Sequence, residues 1–403
     1  MSVLSGKRIL LGVSGGIAAY KTASLVRLFI KAGAHVQVIM TPASKDFVTP
    51  LTLSTLSKNP VYSTFFNQDD EDEKWNNHVE LGLWADLMVI APATANTLSK
   101  MANGTCDNLL IATYLSAKCP VYFAPAMDLD MYKHPSTIAS FTALEQFGNT
   151  IIPAESGELA SGLSGEGRMA EPENIIRFLE ADLESKLPLK GKKILITAGP
   201  TYEAIDPVRF IGNHSSGKMG FDIAKSAANL GASVILVTGP THYVINHSLI
   251  NVVKVTSAQE MYDACHDCYN AVDVAIAAAA VADYRPKNIA QQKIKKTADN
   301  FVIELEKTKD ILLSLGEAKK HQFLIGFALE TENEIENAKA KIRKKNLDLI
   351  VLNSLQDEGA GFQKTTNKVT FIDKDFKTEP MELKSKEAVA DDILNKVIAH
   401  FYE

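Results

Sequence analysis

Cysteine is scarce, with four among 403 residues, and tryptophan scarcer, with two. Four cysteines cannot carry the disulfide framework of a small secreted scaffold. No positively charged start leads into an apolar run long enough for a signal peptide or a membrane helix, so a reducing cytoplasm is the expected compartment, without membrane partners. Positive charge is not in excess: the net charge is −6, residues 1–188 carry 14 Lys and Arg against 20 Asp and Glu, and residues 189–403 carry 28 against 28. Neither half has the balance of a nucleic-acid binder. Short-period repeats are absent too. What is present is 46% hydrophobic and 22% charged residues, the composition of a soluble globular chain of two or three domains.

Two distant stretches share one pattern: a short apolar run, a Gly/Ser/Thr-rich turn, and an amphipathic segment of helical length. The first runs from Arg8–Val13 into Ser14, Gly15 and Gly16; the second runs from residues 193–197 into Ala198, Gly199, Pro200 and Thr201. Further strand candidates follow at residues 35–40, 86–91 and 120–123, and at 233–237, 273–277, 323–327 and 347–352. Such alternation with helix-length segments implies parallel sheets covered on both faces. The expected fold class is α/β, two doubly wound, Rossmann-like domains with ligands at the carboxyl ends of their strands. A charged helix over residues 171–186, followed by Leu187, Pro188 and Gly191, places the linker and sets domains of 1–188 and 189–403. The acidic run at residues 68–73 reads as a solvated loop, with a mobile lid as the functional alternative.

Residues 12–21 follow a strand and open a helix, where backbone amides and the helix dipole receive phosphate. The spacing departs from the Gly-x-Gly-x-x-Gly fingerprint, so a plain tight turn explains it equally well. Ala93, Thr94 and Asn96 fall just past an apolar strand, where polar groups suit the edge of a heteroaromatic cofactor. The plainer reading is that Thr94 or Thr97 caps the next helix. Together with His78 and the strings at residues 125–132 and 156–168, these segments make the first half resemble the flavin-dependent cysteine decarboxylase family. The resemblance implies a flavodoxin-like domain that binds FMN through Ser14, Gly15, Gly16, Thr41, Ala93, Thr94 and Asn96. It implies a trimer-based assembly that builds each site between subunits, and oxidative decarboxylation of a cysteine carboxylate.

The chemistry explains the residue types. A carboxylate loses CO₂ readily only when the developing carbanion has an electron sink, which oxidation of the neighbouring thiol to a thioaldehyde provides. Histidine is the ordinary base at neutral pH, and His78 matches the family's base. Met127 and Asp128 fall on the family's substrate-binding motif, but Asp128 replaces an asparagine, and two facing carboxylates repel. Asp128 is then protonated, or compensated by a cation, or the substrate sits differently. Ser161 falls where the family has a proton-donating cysteine, and a hydroxyl is a far weaker acid than a thiol. Three accounts stand: Ser161 relays a proton from water, Cys106 or Tyr132 substitutes, or the first domain is impaired.

In the second half, residues 197–220 are rich in small and polar residues and precede an amphipathic helix at 221–230, the makings of an anion cradle. Ser215, Ser216, Gly217 and Lys218 lack the leading Gly and the Gly-Lys-Ser/Thr order of a P-loop, which excludes a Walker-type ATPase. Cys265 and Cys268 have the C-x-x-C spacing without a second pair, so ordinary half-buried thiols are expected on a helix at 258–270. The strings at 206–220, 279–285 and 293–296 make this half resemble the phosphopantothenate cysteine ligase family, and the order of the halves is that of the bifunctional flavoproteins of coenzyme A biosynthesis. The resemblance implies activation of the 4′-phosphopantothenate carboxylate by CTP to an acyl-CMP, then attack by cysteine, with Mg²⁺ bridging phosphates. Lys293 would neutralise phosphate charge, and Asn213 would orient the acyl intermediate. Ala279, Asp283, Lys309, Asp310, Ile311, Leu312, Phe327, Lys341 and Lys345 would line the nucleotide site, with Asp283 meeting the metal. Lys341 and Lys345 are four apart on a helix expected at 332–346, so their ammonium groups share a face, where an anion or Glu334 and Glu336 would offset their repulsion. A homo-oligomer of decarboxylase trimers and ligase dimers is expected. The alternative is an active ligase whose first domain is an FMN-binding oligomerisation scaffold.

Overall fold

The computed structural model describes residues 2–66, 75–295, 302–330, 332–354 and 366–402. The acidic run at 68–73 and Lys296 lie outside the described residues. The chain divides into two compact units, Met1–Ser185 and Lys186–Glu403.

In the first unit six parallel strands, β1 (Arg8–Val13), β2 (His35–Met40), β3 (Val61–Tyr62), β4 (Leu87–Ala93), β5 (Val121–Pro125) and β6 (Thr150–Ile151), lie in the order β3-β2-β1-β4-β5-β6. The helices are α1 (Thr22–Lys31), α2 (Pro50–Ser57), α3 (His78–Trp84), α4 (Ala95–Asn103), α5 (Leu109–Ser116), α6 (Leu129–Lys133), α7 (Pro135–Gln146) and α8 (Pro172–Ser185). Alternate residues of β1 bury opposite ways: Ile9, Leu11 and Val13 pack with Leu25, Val26 and Phe29 of α1, while Leu10 joins Ile90 and Leu110. That two-sided burial is why its sequence reads as a continuous apolar run. The order is that of the dinucleotide-binding folds; a flavodoxin sheet runs 2-1-3-4-5, so the first unit is Rossmann-like in its winding. The winding reverses between β1 and β4, and a crevice opens there. The Gly-rich segment forms an antiparallel hairpin, β7 (Glu155–Glu158) and β8 (Ser164–Arg168), which composition alone did not suggest.

The second unit has an eight-stranded sheet in the order β13-β12-β9-β14-β17-β18-β20-β21. Its strands are β9 (Lys193–Ala198), β12 (Ser233–Thr238), β13 (Ile250–Lys254), β14 (Val274–Ala277), β17 (Phe323–Glu330), β18 (Leu349–Ser354), β20 (Val369–Asp373) and β21 (Thr378–Pro380). Two-stranded ribbons pair β10 (Tyr202–Ala204) with β11 (Phe210–Gly212), β15 (Tyr284–Pro286) with β16 (Leu305–Lys307), and β19 (Thr366–Asn367) with β22 (Lys384–Ser385). The helices are α9 (Lys218–Asn229), α10 (Ala258–Tyr269), α11 (Ile311–Ala318), α12 (Glu334–Lys345) and α13 (Lys386–Tyr402). Its first six main strands repeat the winding of the first unit, and an antiparallel β20–β21 edge extends it. Helix α9 starts three residues before the expected 221, because Gly217 at its N-cap takes φ +84°, where a side chain is strained.

Candidate functional site

The crevice of the first unit lies where β1, β2, β4 and β5 end. One cavity of about 530 Å³ is lined by Gly15, Thr41, Thr94, Asn96, Met127 and neighbours. A second, of about 520 Å³, meets it at Ala126 and Met127 and extends past Gly16 to Asp128, Ser161 and Arg168. Ser14 is wholly buried and ties the strand ends together: its hydroxyl donates to the Pro92 carbonyl at 2.7 Å and accepts the Thr94 amide at 3.1 Å. Gly15 approaches Ala43 so closely that a Cβ would lie 2.8 Å from the alanine Cβ, which keeps the turn open only for glycine. The Thr41 hydroxyl is buried at the cavity wall without a hydrogen-bond partner among the described residues. A cradle that a side chain would fill and an orphaned hydroxyl fit the edge of a bound flavin. Ala93 is buried at the end of β4 and supports the floor.

In the second cavity Asp128 caps α6, accepting the Leu129 amide at 2.7 Å. Lys21 and Arg168 line the same cavity, and both bind Glu171. Lys21 is 5% exposed; its ammonium donates to the Met169 carbonyl at 2.9 Å and to Glu171 at 3.0 Å. Burial pushes the Glu171 carboxyl up, but Lys21 and Arg168 outweigh it and hold it below its ordinary value. Neither Lys21 nor Arg168 was singled out in the sequence, because Lys21 meets its partner 150 residues away. Ser161 lies in the β7–β8 turn at the cavity wall, whereas Cys106 is exposed and Tyr132 packs on Phe141, and neither lines the two cavities. His78 is likewise not brought to either cavity within one chain: it stacks on Trp75, and its Nδ1 is buried without a partner.

The crevice of the second unit opens between β9 and β14. Two buried threonines at the end of β9 fix the strand end opposite: Thr197 Oγ1 accepts the Ala279 amide at 3.1 Å and Thr201 Oγ1 the Ala282 amide at 3.0 Å. A cavity of about 650 Å³ is lined by Ala279, Asp283, Lys309, Asp310, Ile311, Leu312, Phe327 and Lys345. Asp310 caps α11 and pairs with Lys345 at 2.8 Å. Burial pushes its carboxyl up; the Lys345 hydrogen bond and the Leu313 amide outweigh this and hold it below its ordinary value. Lys309 lies 4.5 Å from the Tyr262 ring centre. Asn213 donates to the Ala280 and Val281 carbonyls at 3.0 and 3.2 Å, which fixes its amide at the rim.

Lys341 and Lys293 are not brought to that cavity. Lys341 pairs with Glu330 at the end of β17 instead of sharing the wall with Lys345, since helical spacing sets a common face but not what the face meets. Lys293 is exposed, on a segment clasped to the 206–209 turn: Asp206 accepts the Ile294 amide at 3.2 Å, and Arg209 donates to the Ile294 carbonyl at 2.8 Å. A smaller cavity of about 180 Å³ adjoins the first at Phe327, lined by Ser216, Lys218, Asn353, Asn367 and Lys386. The sequence pointed to its Ser216–Lys218 wall and to Ala279 and Phe327, but not to Asn353, Asn367 or Lys386. Among the described residues no group of three or more His, Cys, Asp or Glu is placed to hold a metal ion by itself. Cys265 and Cys268 lie on one helix; Cys268 is half-buried as expected, whereas Cys265 is wholly buried.

Two Rossmann-like units, each with a crevice at its switch point, place the chain among the doubly wound α/β proteins. The family description "Flavoprotein" matches residues 2–184 and "DNA/pantothenate metabolism flavoprotein C-terminal domain" matches residues 189–401. The chain is 44% identical over 399 residues to the coenzyme A biosynthesis bifunctional protein CoaBC of Bacillus subtilis (strain 168), covering 98% of each. It is 53% identical over 356 residues to a cysteine/cysteine sulfinic acid decarboxylase of an unknown prokaryotic organism, covering 87% of this chain and 99% of the relative. A crystal structure of the C-terminal domain of a CoaBC protein is 47% identical and covers 54% of this chain and 99% of that domain, with a TM-score of 0.46. The chain belongs to the family of bifunctional coenzyme A biosynthesis flavoproteins.

Proposed function

We propose that the second unit joins cysteine to 4′-phosphopantothenate using CTP, and that the first unit removes the cysteine carboxyl, giving 4′-phosphopantetheine in the cytoplasm. The observation that carries this reading is the pair of switch-point crevices with different linings: a glycine cradle with an orphaned hydroxyl in one, lysines beside the strand ends in the other.

In the first unit Gly15, Thr41, Thr94 and Asn96 would hold FMN. When bound, FMN would supply a reversible two-electron acceptor, taking the electrons of thiol oxidation and giving them back once carbon dioxide has left, so that the product is the saturated thiol. Lys21 and Arg168 bring compensating positive charge to the cavity that Asp128 lines, which relieves the repulsion between Asp128 and a substrate carboxylate. Ser161 would pass a proton from water to the reduced carbon. His78 would act as base across a subunit boundary, facing the cavity of a neighbouring copy in a trimer. Its neighbours Trp75, Val79 and Leu83 are exposed, an apolar face that such a copy would cover.

In the second unit Lys309 and Lys345 would neutralise the nucleotide, and Mg²⁺ would arrive with its phosphates, held by the single carboxylate of Asp283. The carboxylate of 4′-phosphopantothenate would attack the α-phosphorus with loss of pyrophosphate, and the cysteine amine would then displace CMP. Asn213, fixed at the rim, would orient the acyl group, and the Lys293 segment would close over the phosphates. Pyrophosphate release should require both CTP and 4′-phosphopantothenate, and Lys293→Ala should slow it about 100-fold; an unchanged rate would remove Lys293 from the site.

A second reading concerns the first unit alone. Asp128 offers a carboxylate suited to a substrate ammonium, as in a free amino acid, and one relative is a cysteine/cysteine sulfinic acid decarboxylase. Carbon dioxide release from free cysteine faster than from phosphopantothenoylcysteine would establish it.

A further inference from the structure

We propose that Lys386, with Asn353, Asn367 and the first turn of α9, forms a phosphate-recognition pocket of the ligase crevice. This rests on the ligase reading and adds to it a group that the C-terminal helix supplies.

Four observations converge. Lys386 is 7% exposed and forms no hydrogen bond or salt bridge among the described residues, although its side chain lines the 180 Å³ cavity. An ammonium left unpaired in such a place is costly, and proteins ordinarily pair it. Its charged surroundings do not neutralise it: Lys218 faces it with like charge, and the nearby Asp222 is taken by Lys218 at 2.7 Å. The Oδ1 atoms of Asn353 and Asn367 are buried without partners, and Asn367 is 3% exposed; an amide turned end over end presents a donor in the same place. Finally, Ser216, Gly217 and the first residues of the twelve-residue helix α9 line the same cavity, and the dipole of a helix start favours an anion. An unpaired cation on a buried stem, two unmatched amides and a helix start are together the complement of a phosphate group. Phe327 and Leu329 line both this pocket and the larger one, so a ligand can span them.

The phosphate belongs either to the nucleotide's polyphosphate tail or to the monoester of 4′-phosphopantothenate, and the test separates the two. Inorganic pyrophosphate and inorganic phosphate are titrated by calorimetry into the full chain, wild type and carrying Lys386→Met or Lys386→Arg. Lys386→Met keeps the buried stem and removes the charge. Its anion affinity should fall about tenfold or more while Lys386→Arg stays near wild type. Its melting temperature should not fall, because the charge that is removed holds no partner in the folded chain. A purely structural lysine would move both properties downwards. Loss confined to pyrophosphate, with a raised KM for CTP, assigns the pocket to the nucleotide; loss of inorganic phosphate binding, with a raised KM for 4′-phosphopantothenate, assigns it to the monoester. Unchanged anion binding in Lys386→Met, or lower stability with both KM values unchanged, overturns the proposal. Absence of CTP-dependent pyrophosphate release in the wild type would instead defeat the ligase reading, and the anion titration would still decide whether the pocket exists.

Discussion

Cys265 is wholly buried on α10, and desolvation, with a contribution from Cys268, pushes its thiol up to about 12. Burial likewise raises Cys268 and Cys119, whereas Cys106 is exposed. Thiolate is the reacting species, so an alkylating reagent at about pH 8 should label Cys106 first and leave Cys265 unmodified in the native chain. Peptide mass analysis over a time course checks this; early joint modification of Cys265 and Cys268 would revive the C-x-x-C pair as a reactive site. Gly15 gives a second residue-level expectation. A methyl group 2.8 Å from Ala43 must displace the turn, so Gly15→Ala should purify with little or no flavin absorbance while the second unit keeps its activity. Full flavin content in that variant would show that the cradle lies elsewhere.

At the scale of elements, the turn at 206–209 and the Lys293 segment behave as one clasp. Arg209 hydrogen-bonds Asp206, opposing the penalty of burial, and the Val208, Ile294 and Arg209 amides add to it, so the Asp206 carboxyl is held well below the usual carboxylate range. A carboxyl depressed on folding contributes stability that is fully present above its unfolded pKa and is lost as pH falls through the folded one. Wild type should therefore exceed Asp206→Asn in melting temperature by a constant margin at neutral pH, and the margin should shrink below about pH 4. A margin that does not change between neutral pH and acid would show that the ionised carboxylate contributes nothing. The motif at 206–209 was visible in the sequence, but its partner at 294 was not, because 88 residues separate them. Strand identities were legible for a local reason: buried parallel strands are unbroken apolar runs. The β7–β8 hairpin was not, since Ser, Gly and Glu carry no strand preference and one of its anchors, the Met127 amide on the Gly167 carbonyl, comes from 40 residues away.

For the whole molecule, both units wind in the same order, and each crevice opens at the same topological place. That explains how two distant Gly-rich openings announced two ligand sites. Local sequence placed Ser14, Gly15 and Thr94 at strand ends, because a strand's carboxyl end is itself a local feature, whereas the short strand β11 that Asn213 follows was not expected. It could not show that Lys21 meets Glu171, that Lys341 turns to Glu330, or that Lys386 enters the second crevice, since each depends on segments brought together by winding. His78 outside both cavities, beside an exposed apolar face, leads us to expect a trimer as the working form of the first unit. Light scattering should then give a mass that falls, to no more than the dimer expected of the second unit, when Trp75 and Leu83 are replaced by charged residues, with loss of decarboxylation but not of pyrophosphate release; full decarboxylation by the dissociated variant would contradict it. No helix among the described residues is long and apolar enough to cross a membrane.

The two crevices are linked by one carbon atom, the carboxyl carbon of cysteine, which the second unit incorporates and the first removes. Cysteine labelled at that carbon, incubated with the purified chain, FMN, CTP, Mg²⁺ and 4′-phosphopantothenate, should release the label as carbon dioxide in step with pyrophosphate, leaving unlabelled 4′-phosphopantetheine. Label retained in phosphopantothenoylcysteine, or released without any need for CTP and 4′-phosphopantothenate, would contradict the account.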